Sequence, residues 1–222
     1  MQQPVRVLHV VKHYDGAVLA LDDVSFSVAP GELVALLGPS GCGKSTLLNL
    51  IGCIDIPTSG EVLIDDAATG LLSDDELTRL RRDRIGTVFQ FFNLLPTLSI
   101  GENVALPLVL QGRQRAEIDE RVTRALASVG IEAQRRASPG TVSGGQLQRA
   151  AIARAIVHEP SILLADEPTG NLDSGNGEIV LDILRSLADR GQSILMATHS
   201  ADAAARANRR IHMRDGHIEA IT

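Results

Sequence analysis

A chain of 222 residues and 23.6 kDa has the size of one domain, or of one domain carrying an insertion, which excludes a tandem of full-sized units. Its 44% hydrophobic and 22% charged residues are ordinary for globular material, and no apolar run approaches the roughly 18 residues of a membrane span. With 21 basic against 27 acidic residues, a net charge of −6 and a pI near 5.5, the overall field argues against non-specific nucleic-acid binding. No nucleic-acid partner is expected, and any bound anion must be held by local dipoles.

The opening Met1-Gln2-Gln3-Pro4-Val5 has neither a basic start nor an apolar core, so no secretory leader is expected. Short apolar or alternating runs predict strands at 5–11, 24–28, 33–37, 61–64, 85–89, 162–165, 193–198 and 209–213. Between the later strands, Ile118, Val122, Ala125, Leu126 and Val129, and again Ile179, Val180, Ile183, Leu184 and Leu187, each fall on one face of a helix. Asp215-Gly216 predicts a hairpin turn that pairs 209–213 with 217–221, since both residues tolerate positive φ. Strands dominate before about residue 90, helices from about 100 to 158, and the two alternate afterwards. This order predicts an α/β core with a helical insertion. Two cysteines, Cys42 and Cys53, are too few for a disulfide framework and fit a reducing cytosol. Lys12 and Lys44 are the only lysines among the 21 basic residues, and Phe89, Phe91 and Phe92 concentrate the scarce aromatic content.

The strand at 33–37 runs into Gly38-Pro39-Ser40-Gly41-Cys42-Gly43-Lys44-Ser45-Thr46, and a helical stretch follows at 47–51. That is G-x-x-x-x-G-K-[ST] in strand–loop–helix context. The glycines let backbone N–H groups converge on phosphate oxygens, the helix N-terminus adds partial positive charge, Lys44 reaches the β/γ-phosphates and the Ser45 hydroxyl can ligate Mg²⁺. Cys42, beside Lys44 at a helix N-terminus, is expected to favour thiolate and to react with alkylating reagents. About 120 residues later the strand at 162–165 ends in Asp166-Glu167, placing one carboxylate near the metal and the other near the γ-phosphate as a general base. Val142-Ser143-Gly144-Gly145-Gln146-Leu147-Gln148-Arg149 opens an Ala-rich helix with Ser143 as N-cap. Its two glycines leave first-turn N–H groups uncovered, which makes a second anion site.

On these motifs the chain resembles the ATP-binding subunits of ABC transporters over 5–220. The resemblance implies a Walker A motif at Gly38–Thr46, a Q-loop at Gln90, a signature at Val142–Gln146, a Walker B motif ending in Asp166 and Glu167, a D-loop at Asn171-Leu172-Asp173 and a switch histidine at His199. It implies a P-loop ATPase fold with an N-terminal antiparallel β subdomain, a core at about 1–90 and 159–222, and a helical subdomain at about 91–158. Tyr14 would stack the adenine, Gln90 and Asp166 would join Ser45 at Mg²⁺, and Glu167, His199 and Gln90 would act in hydrolysis. ATP would lie at the interface of a head-to-tail homodimer, capped by Ser143, Gly144, Gly145 and Gln146 of the opposing chain with Asp173 beside them, and the dimer would energise a membrane permease from the cytoplasmic face.

Asp55-Ile56-Pro57-Thr58, Glu102-Asn103-Val104 and Asp166-Glu167-Pro168-Thr169-Gly170-Asn171 are similar to the lipoprotein-release, macrolide-export, bacitracin-export and cell-division group. The cell-division relatives suggest a different role, mechanical signalling through a membrane partner. Val142, Leu147 and Ser200 depart from the group's usual residues without removing a phosphate-contacting group. Phe91, Phe92, Leu94 and Leu95 are expected to offer a partly exposed surface to a cytoplasmic helix of the permease.

Overall fold

The computed structural model describes residues 3–14 and 18–222; residues 1–2, part of the segment in which no leader is expected, and 15–17 lie outside it. A four-stranded antiparallel sheet has the order β2-β1-β4-β5, formed by Val18–Val28, Val5–Tyr14, Ser59–Ile64 and Ala67–Ala68. A six-stranded sheet has the order β10-β9-β3-β8-β7-β6, formed by His217–Ile221, Arg209–Arg214, Leu33–Leu37, Ser193–Ala197, Ile162–Asp166 and Ile85–Val88. Its strands pair in parallel except at the β9–β10 hairpin. Asp215 and Gly216 both have positive φ in the turn, as the sequence requires.

The central strands are apolar throughout because both faces are covered. Leu33 and Ala35 of β3, Leu163 and Ala165 of β7, and Ile194 and Met196 of β8 point into one core. The intervening Val34, Leu36, Ile162, Leu164, Leu195 and Ala197 point into the other. The second core is closed by β1, β2, β4 and helix α1 (Lys44–Ile51), whose Leu47, Leu48, Leu50 and Ile51 are buried. The first is closed by α3 (Ile100–Leu110), α4 (Arg115–Ser128), α5 (Gly144–Ile156) and α6 (Ser174–Asp189).

One helix was not foreseen. α2 (Asp74–Arg84) buries only Leu77, so it has no apolar period to read. It is specified instead by the Ser73–Glu76 capping box, three acids in its first turn and three arginines in its last. The first two strands are also longer than their apolar runs, β1 reaching Tyr14 and β2 beginning at Val18, because their pairing continues out to Tyr14 and Val18. A short helix, α7 (Ala201–Ala205), follows β8 and is capped by Ser200.

Candidate functional site

The carboxyl ends of β3, β6, β7 and β8 bring four sequence segments to one edge of the parallel sheet, where open α/β sheets bind ligands. From β3 comes the loop Gly38–Thr46. Gly38 has φ 150°, and a Cβ there would lie 2.2 Å from the Met213 carbonyl oxygen and 2.7 Å from Cys42 Sγ, so the loop backbone presses directly on β9. Ser40 and Gly41 form its exposed tip, and Gly43 caps α1 in left-handed conformation. Lys44 Nζ donates to the carbonyl oxygens of Gly38 at 2.7 Å and Pro39 at 3.0 Å, which holds the ammonium over the loop. Thr46 lies close to the Tyr14 hydroxyl, which places an aromatic ring beside the first turn of α1.

Cys42 corrects an expectation. Its side chain is 2% exposed and packs in the second core, with Sγ 3.8 Å from Lys44 Nζ. The thiol is buried in that core, so the reagent-accessible thiol read from the sequence is not present.

From β7 come the two carboxylates. The Ser45 hydroxyl donates to Asp166 Oδ2 at 3.3 Å. Burial raises the Asp166 pKa above the ordinary aspartate value, the Ser45 bond opposes that shift, the Glu167 charge adds to it and Lys44 lowers it. A hydroxyl and an undercompensated carboxylate at this spacing are hard oxygen donors. They suit Mg²⁺, which keeps water and substrate-phosphate ligands rather than an all-protein cage. Glu167 has φ 46°, and its N–H donates to the Ala197 carbonyl of β8 at 2.9 Å. His199, from the end of β8, places Nδ1 2.9 Å from Glu167 Oε1, with the carboxylate 18% and the imidazole 75% exposed.

Gln90 follows β6. Its carbonyl accepts from Asn171 Nδ2 at 2.9 Å, and its amide lies 2.9 Å from where a Gly170 Cβ would be. Among the described residues no hydrogen bond joins its side chain to Ser45 or Asp166. Asp173 caps α6, accepting from the Asn176 N–H at 2.9 Å and Asn176 Nδ2 at 2.7 Å.

Ser143 caps α5 as expected. Its Oγ accepts from the Gln146 N–H at 3.3 Å, and Gln146 Oε1 accepts from the Ser143 N–H at 2.9 Å, a reciprocal capping box. Gly144 meets Leu172 and Phe92, and a Cβ on Gly145 would fall 2.0 Å from Asn176 Oδ1. None of these neighbours belongs to the phosphate loop. One chain therefore carries two candidate anion-binding devices, and among the described residues no hydrogen bond joins them.

Several linking residues were not singled out. Buried Gln148 of α5 donates to the Pro168 carbonyl at 2.6 Å. Asn103, fully buried in α3, accepts from the Leu95 N–H at 2.7 Å and donates to the carbonyls of Leu95, Leu98 and Ser99. Arg154 bonds the carbonyls of Phe92 and Asn93. Asn103 stands among apolar residues of α3, which is a legible signal of a buried hydrogen-bonding task.

The family described as ABC transporter matches residues 21–170. The chain belongs to the ABC transporter family. It is 45% identical over 223 residues to the ABC transporter ATP-binding protein MJ0796 of Methanocaldococcus jannaschii, covering 97% of this chain and 95% of that one. It is also 45% identical over 204 residues to the macrolide export ATP-binding/permease protein MacB of Mannheimia succiniciproducens, covering 92% of this chain but spanning about a third (32%) of MacB. The structure of MJ0796 in a dimeric post-hydrolysis state bound to ADP and Pi superposes with TM-score 0.89 at 42% identity, covering 98% and 97% of the two chains. These relatives agree with the subgroup resemblance. The chain is a nucleotide-binding ABC ATPase with the mixed α/β fold, antiparallel β part and helical part expected. Among the described residues no helix is long and apolar enough to cross a membrane.

Proposed function

We propose that this ABC ATPase energises a membrane permease subunit by dimerising head to tail around ATP, working peripherally on the cytoplasmic face of the membrane. The observation that carries this reading is the separation of the two anion devices. Among the described residues no hydrogen bond joins Gly38–Thr46 to the capped N-terminus of α5, and a second copy reversed end to end would bring them together. The relatives support it. MJ0796 is described as dimeric with ADP and Pi, and MacB joins ATP-binding and permease functions by name.

In this reading the loop amides, Lys44 and Thr46 hold the phosphates, and Tyr14 receives the adenine. Ser45 and Asp166 would hold Mg²⁺, with Gln90 completing the set once its amide leaves Gly170; the bound ion would neutralise phosphate charge. Glu167 takes the proton of the attacking water, and His199, 2.9 Å from that carboxylate, orients it and reaches the γ-phosphate. Ser143, Gly144, Gly145 and Gln146 of the opposing copy cap the γ-phosphate, with Asp173 at the seam. ADP gives the opposing helix nothing to hold, so hydrolysis separates the copies.

Glu167→Gln tests the proposal. The variant keeps side-chain size but not basicity, so turnover should fall by roughly 10²–10⁴-fold while nucleotide binding survives. Light scattering should then show a dimer with ATP and Mg²⁺ and a monomer with ADP. A monomer under both conditions, in the isolated subunit and in the complex reconstituted with its permease, overturns the composite site.

A further inference from the structure

Tyr14 is the last described residue of β1, yet its ring is fixed on two sides. Its hydroxyl donates to Asp55 Oδ2 at 2.9 Å. Lys12, two residues earlier and so on the same strand face, places Nζ 4.9 Å from the ring centroid. The same ammonium donates to Asp55 Oδ1 at 2.6 Å and to the Ile56 carbonyl at 2.8 Å. Lys12 is 9% exposed, an unusual burial for one of only two lysines in the chain. Burial of a charge is tolerated when the charge is paired and its donors are used, as they are here.

The network also reaches the phosphate loop. Asp55 follows α1, the helix that begins at Lys44, and the N–H groups of Ile54 and Asp55 donate to the Asn49 carbonyl at 2.9 and 3.3 Å. On the other side the Thr58 N–H donates to the Val11 carbonyl, and the His13 N–H to Thr58 Oγ1. One short helix therefore sets the distance between the loop that holds phosphates and the carboxylate that holds the ring. Rotating Tyr14 away would leave Asp55 Oδ2 short of a donor and would strip Lys12 of its ring contact.

We propose that Lys12 and Asp55 are positioning residues that lock Tyr14 as a preformed platform for the nucleotide base, at a spacing from the phosphate loop fixed by α1. The inference rests on the reading of Tyr14 as the adenine-stacking residue. Lys12 covers one face of the ring, and Tyr14, 37% exposed, offers the base its remaining surface. The network contributes to binding by removing the freedom the ring would otherwise lose when the base arrives. Lys12 and Asp55 act through the ring, so the phosphates should not sense their removal.

Competition of ATP and of inorganic tripolyphosphate, which has no base, against a fluorescent ATP analogue on the full chain tests this. Lys12→Met should weaken ATP binding on the order of tenfold, leave tripolyphosphate within about twofold, and raise the ATP KM with kcat at saturation retained. Lys12→Arg, which keeps the cation over the ring and its carboxylate partner, should recover most of the loss. Equal losses for ATP and tripolyphosphate would mean a general brace and overturn the inference. If Lys12→Met does not fold, Asp55→Asn, nearly identical in shape, should show the same base-selective loss, and equal losses there overturn it as well. Tyr14→Ala separates the two readings. Weakened ATP binding in Tyr14→Ala with none in Lys12→Met sinks the positioning role alone, whereas unchanged ATP binding in Tyr14→Ala sinks the stacking role and the inference with it.

Discussion

At the scale of single residues, the polar groups in this chain divide by whether burial is compensated. Lys12 is buried with its donors used; His158 is not. It is 8% exposed, its Nε2 lies 3.2 Å from the Ile85 carbonyl and its Nδ1 has no hydrogen-bond partner among the described residues. Burial lowers its pKa below the ordinary histidine value, against smaller opposing contributions from the Ile85 bond and the charge of Asp83. The folded value therefore lies below the unfolded one, and as the solution is acidified the unfolded chain takes the proton first. Stability supplied by the neutral imidazole should be complete above about pH 6.5 and lost as pH falls through the lowered folded value. His158→Gln keeps a donor for Ile85 and cannot titrate, so urea midpoints from pH 7.5 down to pH 5 should slope less steeply than for the unmodified chain. Parallel slopes would show that other groups govern acid sensitivity here. The same division explains why Cys42 misled the sequence reading. The field of Lys44 and of the α1 N-terminus is legible from spacing, but whether the thiol turns toward solvent or toward the second core depends on φ at Gly38 and on Met213, 175 positions from it in the chain.

At the scale of elements, β3, β7 and β8 were legible because burial on both faces makes them continuous apolar runs. α5 was legible because Ser143 and Gln146 satisfy its first N–H groups before any tertiary contact forms. α2 was not, since its stabilising signals are caps and charges rather than periodicity. The phosphate loop, the acidic pair and the signature could be read because contiguous residues set their chemistry. The Lys12–Asp55 and Gln148–Pro168 links span 43 and 20 residues and needed the fold. The segment after Gln90 lies between these cases. Its aromatic content was visible, and the structure divides it: Phe91 is 72% exposed and Leu95 47%, while Phe92 is half-buried and Leu94 packs on the core. Beside it runs a groove of about 360 Å³ lined by Ile85, Leu106, Pro107, Leu110, Arg81 and Arg154. Arg154 holds the carbonyls of Phe92 and Asn93, both at positive φ, which ties the groove wall to the turn after Gln90. A permease helix in this groove would press on that turn. Phe91→Ser should leave the isolated subunit's stability within about 0.5 kcal/mol and its basal ATPase intact, while permease-stimulated turnover in the reconstituted complex falls. Loss of stability without loss of coupling would make Phe91 a folding residue instead.

At the scale of the whole molecule, the question is what one chain can do alone. In the proposed head-to-tail pair each copy would supply half of two sites, so the pair would hold two composite sites and an isolated chain none. This makes a prediction about mixtures that no single-chain mechanism shares. Lys44→Ala removes the cation of the phosphate loop, and Ser143→Arg puts bulk and charge at the N-terminus of α5, an exposed position in the monomer. Each variant alone should lose ATPase activity, because every site in its homodimer lacks either the loop cation or the cap. In an equimolar mixture about half of the dimers pair one variant with the other, and one of the two sites in each such dimer combines an unmodified Lys44 with an unmodified Ser143. Activity should therefore return to about a quarter of the level of the unmodified chain at equal total concentration. If each chain completed its own site, the mixture would stay as inactive as its components. Measured with the isolated subunit or with the permease complex, recovery on mixing would place ATP between two copies, because only an interface can assemble an intact site from two defective chains.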